Sequence, residues 1–114
     1  MPGPEFICGL DAAVDVMGGK WKALILWALS VEPRRFGELR RELGTVSEKV
    51  LIQQLRELER DGIVHREVHE QVPPKVVYSL TEMGSALDKA MSDLSSWGEQ
   101  HMRQIIETRR ANTN

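Results

Sequence analysis

Among the residues of this sequence, the polar side chains between residues 47 and 54 are the best suited to recognise a ligand by hydrogen bonding. Leu51, Leu55 and Leu58 recur at the spacing of an α-helix, and burying them turns the polar residues of the same segment outward. Amide side chains pair with adenine, an ammonium group suits the acceptors of guanine, and valine contacts the methyl group of thymine. This face is therefore suited to contacts with base edges in double-stranded DNA. The candidate base-contacting residues are Ser47, Lys49, Val50, Gln53 and Gln54.

Positive charge is concentrated in the same part of the chain. The whole sequence has 15 basic and 17 acidic residues, a net charge of −2 that by itself argues against a nucleic-acid partner. Residues 34–66, however, carry eight basic and six acidic side chains. Because a local field acts even where the total charge is unfavourable, we expect Arg34, Arg35 and Lys75 to contact DNA phosphates. The alternative is an ordinary solvated helix face, since three glutamates of the same predicted helix dilute the positive field.

The sequence predicts four helical segments, and the fourth of them carries this face. They cover residues 10–17, 20–30, 36–43 and the stretch between Ser47 and Asp61. Ser47 is a capping residue for the fourth helix, and glycines at 18, 19, 44 and 62 stop successive segments. A short helix joined by a tight turn to a longer one predicts a helix-turn-helix.

After Gly62 the apolar period changes from helical to alternating. Two β-rich runs, 63–68 and 76–80, flank a turn at Val72-Pro73-Pro74-Lys75 and predict a hairpin. Thr81 then caps a long last helix with an apolar stripe. The stripe consists of Leu87, Met91, Leu94, Trp97, Met102 and Ile105. The predicted fold is mainly α with a small β-hairpin: a winged helix-turn-helix with a long C-terminal dimerisation helix.

Length and composition predict one domain of an ordinary globular class. The chain has 114 residues, of which 41% are hydrophobic and 28% charged, enough for one core but not for two. We expect a disordered leader at 1–7, a winged-helix domain at 8–108 and a frayed tail at 109–114. The longest apolar run is far shorter than a membrane span. A single cysteine fits a reducing cytoplasm, where we place the protein.

A series of motifs in the chain resembles the HxlR-type regulators, a winged-helix branch of the MarR-like transcription factors. The motifs occur in the order of that family between Cys8 and Gly98. They are Cys8, Gly18-Gly19-Lys20-Trp21, the segments 34–40 (RRFGELR), 55–62 (LRELERDG) and 72–84 (VPPKVVYSLTEMG), and Trp97-Gly98. The resemblance implies a bacterial cytoplasmic homodimer that binds an operator and represses or activates transcription.

The resemblance also implies that the first and last helices form the dimer interface. The length of the last helix agrees, because it has more apolar surface than a small domain covers. We expect its interface residues to be Leu87, Met91, Leu94 and Trp97. The alternative is that these side chains only close the core of one subunit. Two-fold symmetry would place the two fourth helices ~34 Å apart on a pseudo-palindromic site.

Cys8 is the candidate for redox sensing. Some relatives respond to oxidants or electrophiles through the matching cysteine, although here Gly9 follows it where the family commonly has proline. A position just before a helix favours the thiolate, and Asp11 opposes it. Without a second cysteine, the thiol is limited to a bridge with Cys8 of the partner, a mixed disulfide, alkylation or oxidation. The alternative is a small, semi-buried structural residue.

A small apolar effector that binds near Trp21, Trp27 or Trp97 is a second possible mode of control, although we expect these tryptophans to lie in the core.

Neither catalysis, nor a cofactor, nor a metal site is predicted. His65 and His69 lie on a predicted strand and its turn, too far apart (~13 Å) to bind one ion. Phosphate loops and nucleophile motifs are also lacking. Besides a DNA-binding regulator, the sequence leaves open a winged-helix module that binds protein with the same faces.

Overall fold

The computed structural model describes residues 5–113, which form five helices and a three-stranded sheet. The elements are α1 (Gly9–Met17), α2 (Gly19–Leu29), β1 (Arg34–Arg35), α3 (Phe36–Leu43), α4 (Glu48–Arg60), β2 (Val64–His69), β3 (Lys75–Leu80) and α5 (Glu82–Ala111). The winged helix-turn-helix order predicted from the sequence is confirmed. Residues 1–4 of the predicted leader and Asn114 lie outside the described residues, and residues 5–7 are exposed and non-helical.

The sheet contains one strand that the sequence did not predict. β1 pairs with β3 in antiparallel register, Arg34 opposite Tyr78 and Arg35 opposite Val77, so the strand order is β1-β3-β2. Two residues between a proline and a helix are too few to produce an alternating pattern, and only the long-range partner makes them a strand. The prediction of a two-stranded hairpin was therefore incomplete. Lys75, expected in the turn, is the first residue of β3 and lies opposite His69.

The core lies where α2, α3 and α4 meet the base of the sheet. Leu51, Leu55 and Leu58 are fully buried, which confirms the predicted inward face of α4. Leu39 of α3 is buried with them, and Phe36 and Leu43 pack at the edge of this cluster. The rotation of α4 about its own axis is thereby fixed, because turning the helix would expose its buried leucines to water. Its opposite face is left to solvent.

Side-chain caps fix the start of α4 and of α5. Ser47 Oγ accepts a hydrogen bond of 3.1 Å from the backbone N–H of Val50, and Thr81 Oγ1 accepts one of 3.0 Å from that of Gly84. The Thr81 hydroxyl also donates to the carbonyl of Gly62 at 2.6 Å. Both predicted caps are confirmed. Thr81 therefore ties the first turn of α5 to the chain between α4 and β2.

Helices α1 and α5 leave most of their apolar surface uncovered. α1 has no buried residue, and Leu10 is 73% exposed. In α5 only Gly84 is buried. Leu87 and Met91 pack against the core, whereas Leu94 and Trp97 are 57% and 55% exposed. The alternative was that the apolar stripe of α5 only closes the core of one subunit. Within this chain it applies to the first half of the stripe, Leu87 and Met91, and not to Leu94 and Trp97.

The protruding end of α5 lengthens the molecule. The radius of gyration is 16.4 Å, compared with about 13 Å for a compact 100-residue domain. α5 continues to Ala111, past the boundary at 108, although the domain boundaries themselves stay a prediction. Within residues 5–113, no helix has the length and apolar character needed to cross a membrane.

Candidate nucleic-acid interface

The solvent face of α4 brings the predicted base-contacting residues together. Lys49 and Gln53 are exposed one turn apart, while Val50 and Gln54 are half-buried beside them. Ser47 is exposed at the start of the helix, where its oxygen caps Val50 N–H and its O–H stays available as a donor. Arg56 and Arg60, which the leucine spacing also turns outward, follow on the same face and are exposed. Lys49, Gln53, Arg56 and Arg60 line one shallow surface with Glu48, Ile52 and Glu57.

A cleft of about 490 Å³ separates α4 from the wing formed by β2 and β3. Arg56 lines it from the helix and Arg66 lines it from β2, above the half-buried ring of Tyr78. Glu48 and Glu59 line the same cleft, and Glu48 is paired with Arg40 at 3.6 Å. We did not identify Arg66 from the sequence. Its position in the strand was the available signal, because it lies two residues from both Val64 and Val68 and so shares their face, which meets α4.

The two arginines before α3 have different surroundings. Arg34 is only 16% exposed, and its guanidinium pairs with Glu42 at 3.3 Å and Glu32 at 3.5 Å. It also donates to the carbonyl of Ala28 at 3.3 Å. Arg34 was predicted to contact a DNA phosphate. In this structure its partners are two carboxylates and a backbone carbonyl, and it holds β1 and α3 against the end of α2. Arg35 is exposed, and it stays available for a phosphate.

Lys75 lies at the far end of the wing, on the opposite face of the sheet from Arg66. The register places Lys75 opposite His69 and Arg66 opposite Tyr78, and successive side chains alternate between the two faces. His69 is paired with Glu67 at 3.5 Å on the same strand. Each face of the wing therefore presents at least one basic residue.

A partly buried ion pair joins α4 to α2. Lys22 is 6% exposed, and its Nζ lies 2.8 Å from Oε1 of Glu57. The hydrogen bond and the charge of Lys22 hold the pKa of the Glu57 carboxyl below its ordinary value, with smaller contributions from the Gln53 side chain and the Arg60 charge. The sequence did not indicate this pair, because residues 35 positions apart share no periodic pattern.

Cys8 is exposed and is the N-cap residue of α1. Its backbone carbonyl accepts a hydrogen bond of 3.2 Å from Ala12, and the backbone N–H of Ile7 donates to Asp11 Oδ2 at 3.0 Å. The thiol is thus open to solvent rather than semi-buried.

A second groove, of about 610 Å³, runs between α2 and α5. Trp27, Leu24, Met91 and Leu94 provide its apolar lining. Trp27 is 53% exposed, so the expectation that the tryptophans lie in the core was wrong for Trp27 and Trp97. Trp21 does pack against the core, half-buried.

Residues 5–113 contain no group of three histidine, cysteine, aspartate or glutamate side chains arranged to bind a metal ion. His65 and His69 lie on β2 and are at least partly exposed.

Comparison with known proteins places this architecture in one family. The model of the HxlR-like helix-turn-helix family matches residues 16–106. The HTH-type transcriptional regulator YybR of Bacillus subtilis is 46% identical over 105 residues, which are 92% of this chain and 83% of YybR.

Solved structures of other regulators share the fold. The redox regulator HypR in its reduced form superposes with a TM-score of 0.83 and 44% identity, over 89% of this chain and 99% of HypR. Diamide-treated YodB from Bacillus subtilis gives a TM-score of 0.71 and 35% identity, over 84% of this chain and 96% of YodB. The chain therefore belongs to the HxlR-like helix-turn-helix family, and it is a transcriptional regulator with a winged-helix, MarR-like fold.

Proposed function

We propose that the protein is a homodimeric, sequence-specific regulator that binds a double-stranded DNA operator through α4. The observation that carries this proposal is the solvent face of α4, where Lys49 and Gln53 are exposed and Arg56 and Arg60 continue the same surface. Because the opposite face is locked into the core by three leucines, this face has a fixed direction. Such a helix fits the major groove, with its N-terminal half at the base edges. We infer a regulator rather than an enzyme, acting in the cytoplasm.

The flanking basic residues would hold the DNA backbone. Arg35 before α3 and Lys75 on the wing are at least partly exposed, and Arg66 faces Arg56 across the cleft. Phosphate contacts of this kind fix the orientation of α4 without reading sequence. Arg34 would act indirectly, because its ion pairs position α3.

The dimer would use the uncovered faces of α1 and α5. Leu94 and Trp97 on α5 and Leu10 on α1 are more than half exposed in one subunit. Burial of such side chains against a second copy is the usual way a protein removes an apolar surface from water. A two-fold axis through this interface would present two α4 helices to successive major grooves, ~34 Å apart.

Fluorescence anisotropy of the reduced protein tests this function. DNA from upstream of its own gene and fragments selected from the whole genome would be titrated at several salt concentrations. We expect tight binding to a selected fragment, with affinity that falls steeply with salt as counterions are released. Weak, sequence-indifferent binding to every fragment would instead favour the winged-helix protein-interaction module.

Replacing Gln53 by alanine is expected to relax sequence preference. A glutamine paired with adenine discriminates against the wrong base by ~1–3 kcal/mol, and alanine lacks both the amide donor and the amide acceptor that make this pair. The measurement compares affinities for the operator and for operators with single base substitutions. An equal loss of affinity on every sequence would contradict a base-contacting role for Gln53.

Replacing Lys75 by alanine is expected to weaken binding uniformly. A lysine that neutralises one phosphate contributes to all sequences alike, so its loss should reduce the slope of log affinity against log salt by about one. Titrations of the wild-type protein and of Lys75→Ala over the same salt series check this slope. A change in preference among operators would contradict a pure phosphate contact.

We further propose that Cys8 senses oxidants or electrophiles. The thiol is exposed at the start of α1, and the similar proteins include a redox regulator and a structure treated with diamide. Two Cys8 thiols of one dimer would form a disulfide and transfer two electrons and two protons to the oxidant. α1 belongs to the proposed interface, so the bridge would alter the relation between the two subunits.

Oxidation with diamide is expected to change operator affinity by about fivefold or more, the usual range of coupling between two sites. The Cys8→Ser variant should bind as the reduced protein does and should not respond, and a thiol reductant should restore the wild-type affinity. An equal response of Cys8→Ser would exclude the thiol as the sensor. The groove beside Trp27 would then make a small apolar ligand the better effector, and quenching of tryptophan fluorescence would report its binding.

A further inference from the structure

The two faces of the wing differ in chemistry. Side chains alternate along β2, so Val64, Arg66 and Val68 point toward α4 and the residues between them point away from it. The register of β2 with β3 and of β3 with β1 extends this outer face across the sheet. The outer face includes His65, Glu67, His69, Lys75, Val77 and Arg35. All six residues are at least partly exposed, so this face is open to solvent.

His69 and Lys75 form the last pair of the outer face before the turn of the wing. They lie directly opposite each other in the register, where antiparallel partners have Cβ atoms about 4.5–5.5 Å apart. Because Lys75 is a proposed phosphate contact, a phosphate oxygen bound to its ammonium group would lie within reach of the His69 ring. The His69 side chain is 41% exposed, which leaves room for that phosphate.

Glu67 occupies one nitrogen of the His69 ring. Its Oε1 lies 3.5 Å from Nε2 of His69, on the same face of the same strand. A neutral imidazole has a single N–H, whereas the protonated ring donates from both nitrogens. Only a protonated His69 can therefore donate to Glu67 and to a phosphate at the same time.

The charges around His69 act on its ring with opposite signs. Lys75 on β3 repels a protonated ring, whereas Glu67 on β2 and Glu70 in the turn attract it. Arg35 lies further away, across β3 on the edge strand β1. A DNA phosphate would add a negative charge on the open side, and a nearby opposite charge favours the protonated form. Histidine changes its charge between about pH 5 and pH 8, so this step falls in the physiological range.

We propose that His69 and Lys75 form a phosphate-binding pair at the end of the wing, and that His69 binds the phosphate only in its protonated form. Operator binding then transfers a proton from solution to the imidazole of each wing. Affinity is greatest at a pH where the free protein already holds this proton, and it falls as the pH rises. This inference rests on the proposed function, since it requires DNA on the wing, and it adds a dependence on pH that lysine and glutamine contacts from α4 do not have.

Operator affinity measured by anisotropy between about pH 6 and pH 8, at constant ionic strength, tests this inference. We expect wild-type affinity to be about tenfold higher at the lower pH, with a steeper salt dependence there because each wing neutralises one more phosphate. His69→Gln should reduce this ratio to about twofold or less and should give equal salt slopes at both pH values. Calorimetry in two buffers of different ionisation enthalpy should show proton uptake by the wild type and much less by His69→Gln.

His69→Lys tests whether charge at this position is what matters. A lysine keeps its charge throughout this pH range, so the variant should bind at about pH 8 nearly as tightly as the wild type does at about pH 6. Binding of His69→Lys as weak as that of His69→Gln would contradict a phosphate contact at the end of the wing.

The other two histidines of the chain provide matched controls. His65 lies on the same face of β2, four residues toward the base and ~13 Å from His69, which exceeds the screening length of about 8 Å at physiological salt. His101 lies on α5, where its ring stacks on Trp97 at 4.9 Å. His65→Gln and His101→Gln should both keep the wild-type ratio of affinities.

The outcomes distinguish this inference from the function beneath it. Tight operator binding that is independent of pH, or a pH response that persists in His69→Gln, would overturn the role of His69 alone. A response that is lost in His65→Gln or His101→Gln instead would also overturn it. A wild-type protein that prefers no DNA sequence at any pH would overturn the proposed function and this inference with it.

Discussion

Replacing Gly84 by alanine should lower the free energy of unfolding by about 3 kcal/mol. Gly84 is the buried residue in the first turn of α5, and a methyl group at its Cβ position would overlap the carbonyl oxygen of Ile63. That neighbour is backbone, so it cannot rotate away as a flexible side chain would. Its shift would also disturb the hydrogen bond of 3.1 Å from the Thr81 backbone N–H to the same oxygen.

Thermal unfolding followed by circular dichroism measures this effect. A loss of that size corresponds to a Tm lower by roughly 12–24 °C, since each kcal/mol shifts the Tm of a domain of this size by about 4–8 °C. Gly37→Ala is the matched control, because Gly37 is helical and exposed and a methyl group there meets only the far end of Arg41 at 3.9 Å. We expect the control to be as stable as the wild type or up to about 1 kcal/mol more stable. A Gly84→Ala variant with wild-type Tm would contradict the close approach of α5 to β2.

Replacing Leu94 by glutamate should convert the proposed dimer to monomers. Leu94 is 57% exposed in one subunit and lies on the apolar stripe of α5 with the exposed Trp97. Within one chain the new carboxylate would remain in solvent, but in a dimer it would be buried without a partner, which is strongly unfavourable. Because two linked half-site contacts gain about 10²–10⁴ in affinity over one, operator binding should weaken by at least about 100-fold.

Light scattering after size-exclusion chromatography gives the mass, and anisotropy gives the operator affinity of the same sample. Ser96→Glu introduces the same side chain on the opposite side of α5, where Ser96 is exposed, and it should remain a dimer with normal affinity. Retained helicity in Leu94→Glu would establish that the subunit stays folded. A dimeric Leu94→Glu variant with wild-type affinity would exclude this part of α5 from the interface.

The elements with local signals could be predicted from the amino-acid sequence. The core face of α4 followed from leucines at 51, 55 and 58, and its start followed from the hydroxyl of Ser47. The bounds of α3 at 36 and 43 match those predicted, because an apolar period and a closing glycine lie within one short segment. The order of motifs likewise identified the family before any tertiary contact was known. Helical and strand periods are properties of adjacent residues, so a single chain displays them.

Which side chains are free to contact a ligand depends on contacts between residues far apart in the chain. Arg34 and Arg35 are adjacent and chemically identical, yet the first is paired with two carboxylates and the second is exposed. The burial of Lys22 against Glu57, the third strand and the exposure of Trp27 are equally invisible in the sequence. Each depends on a partner many residues away, and no local period reports such a pairing. For this protein, the local sequence therefore established the helices and the wing, and long-range packing established the surface that they present.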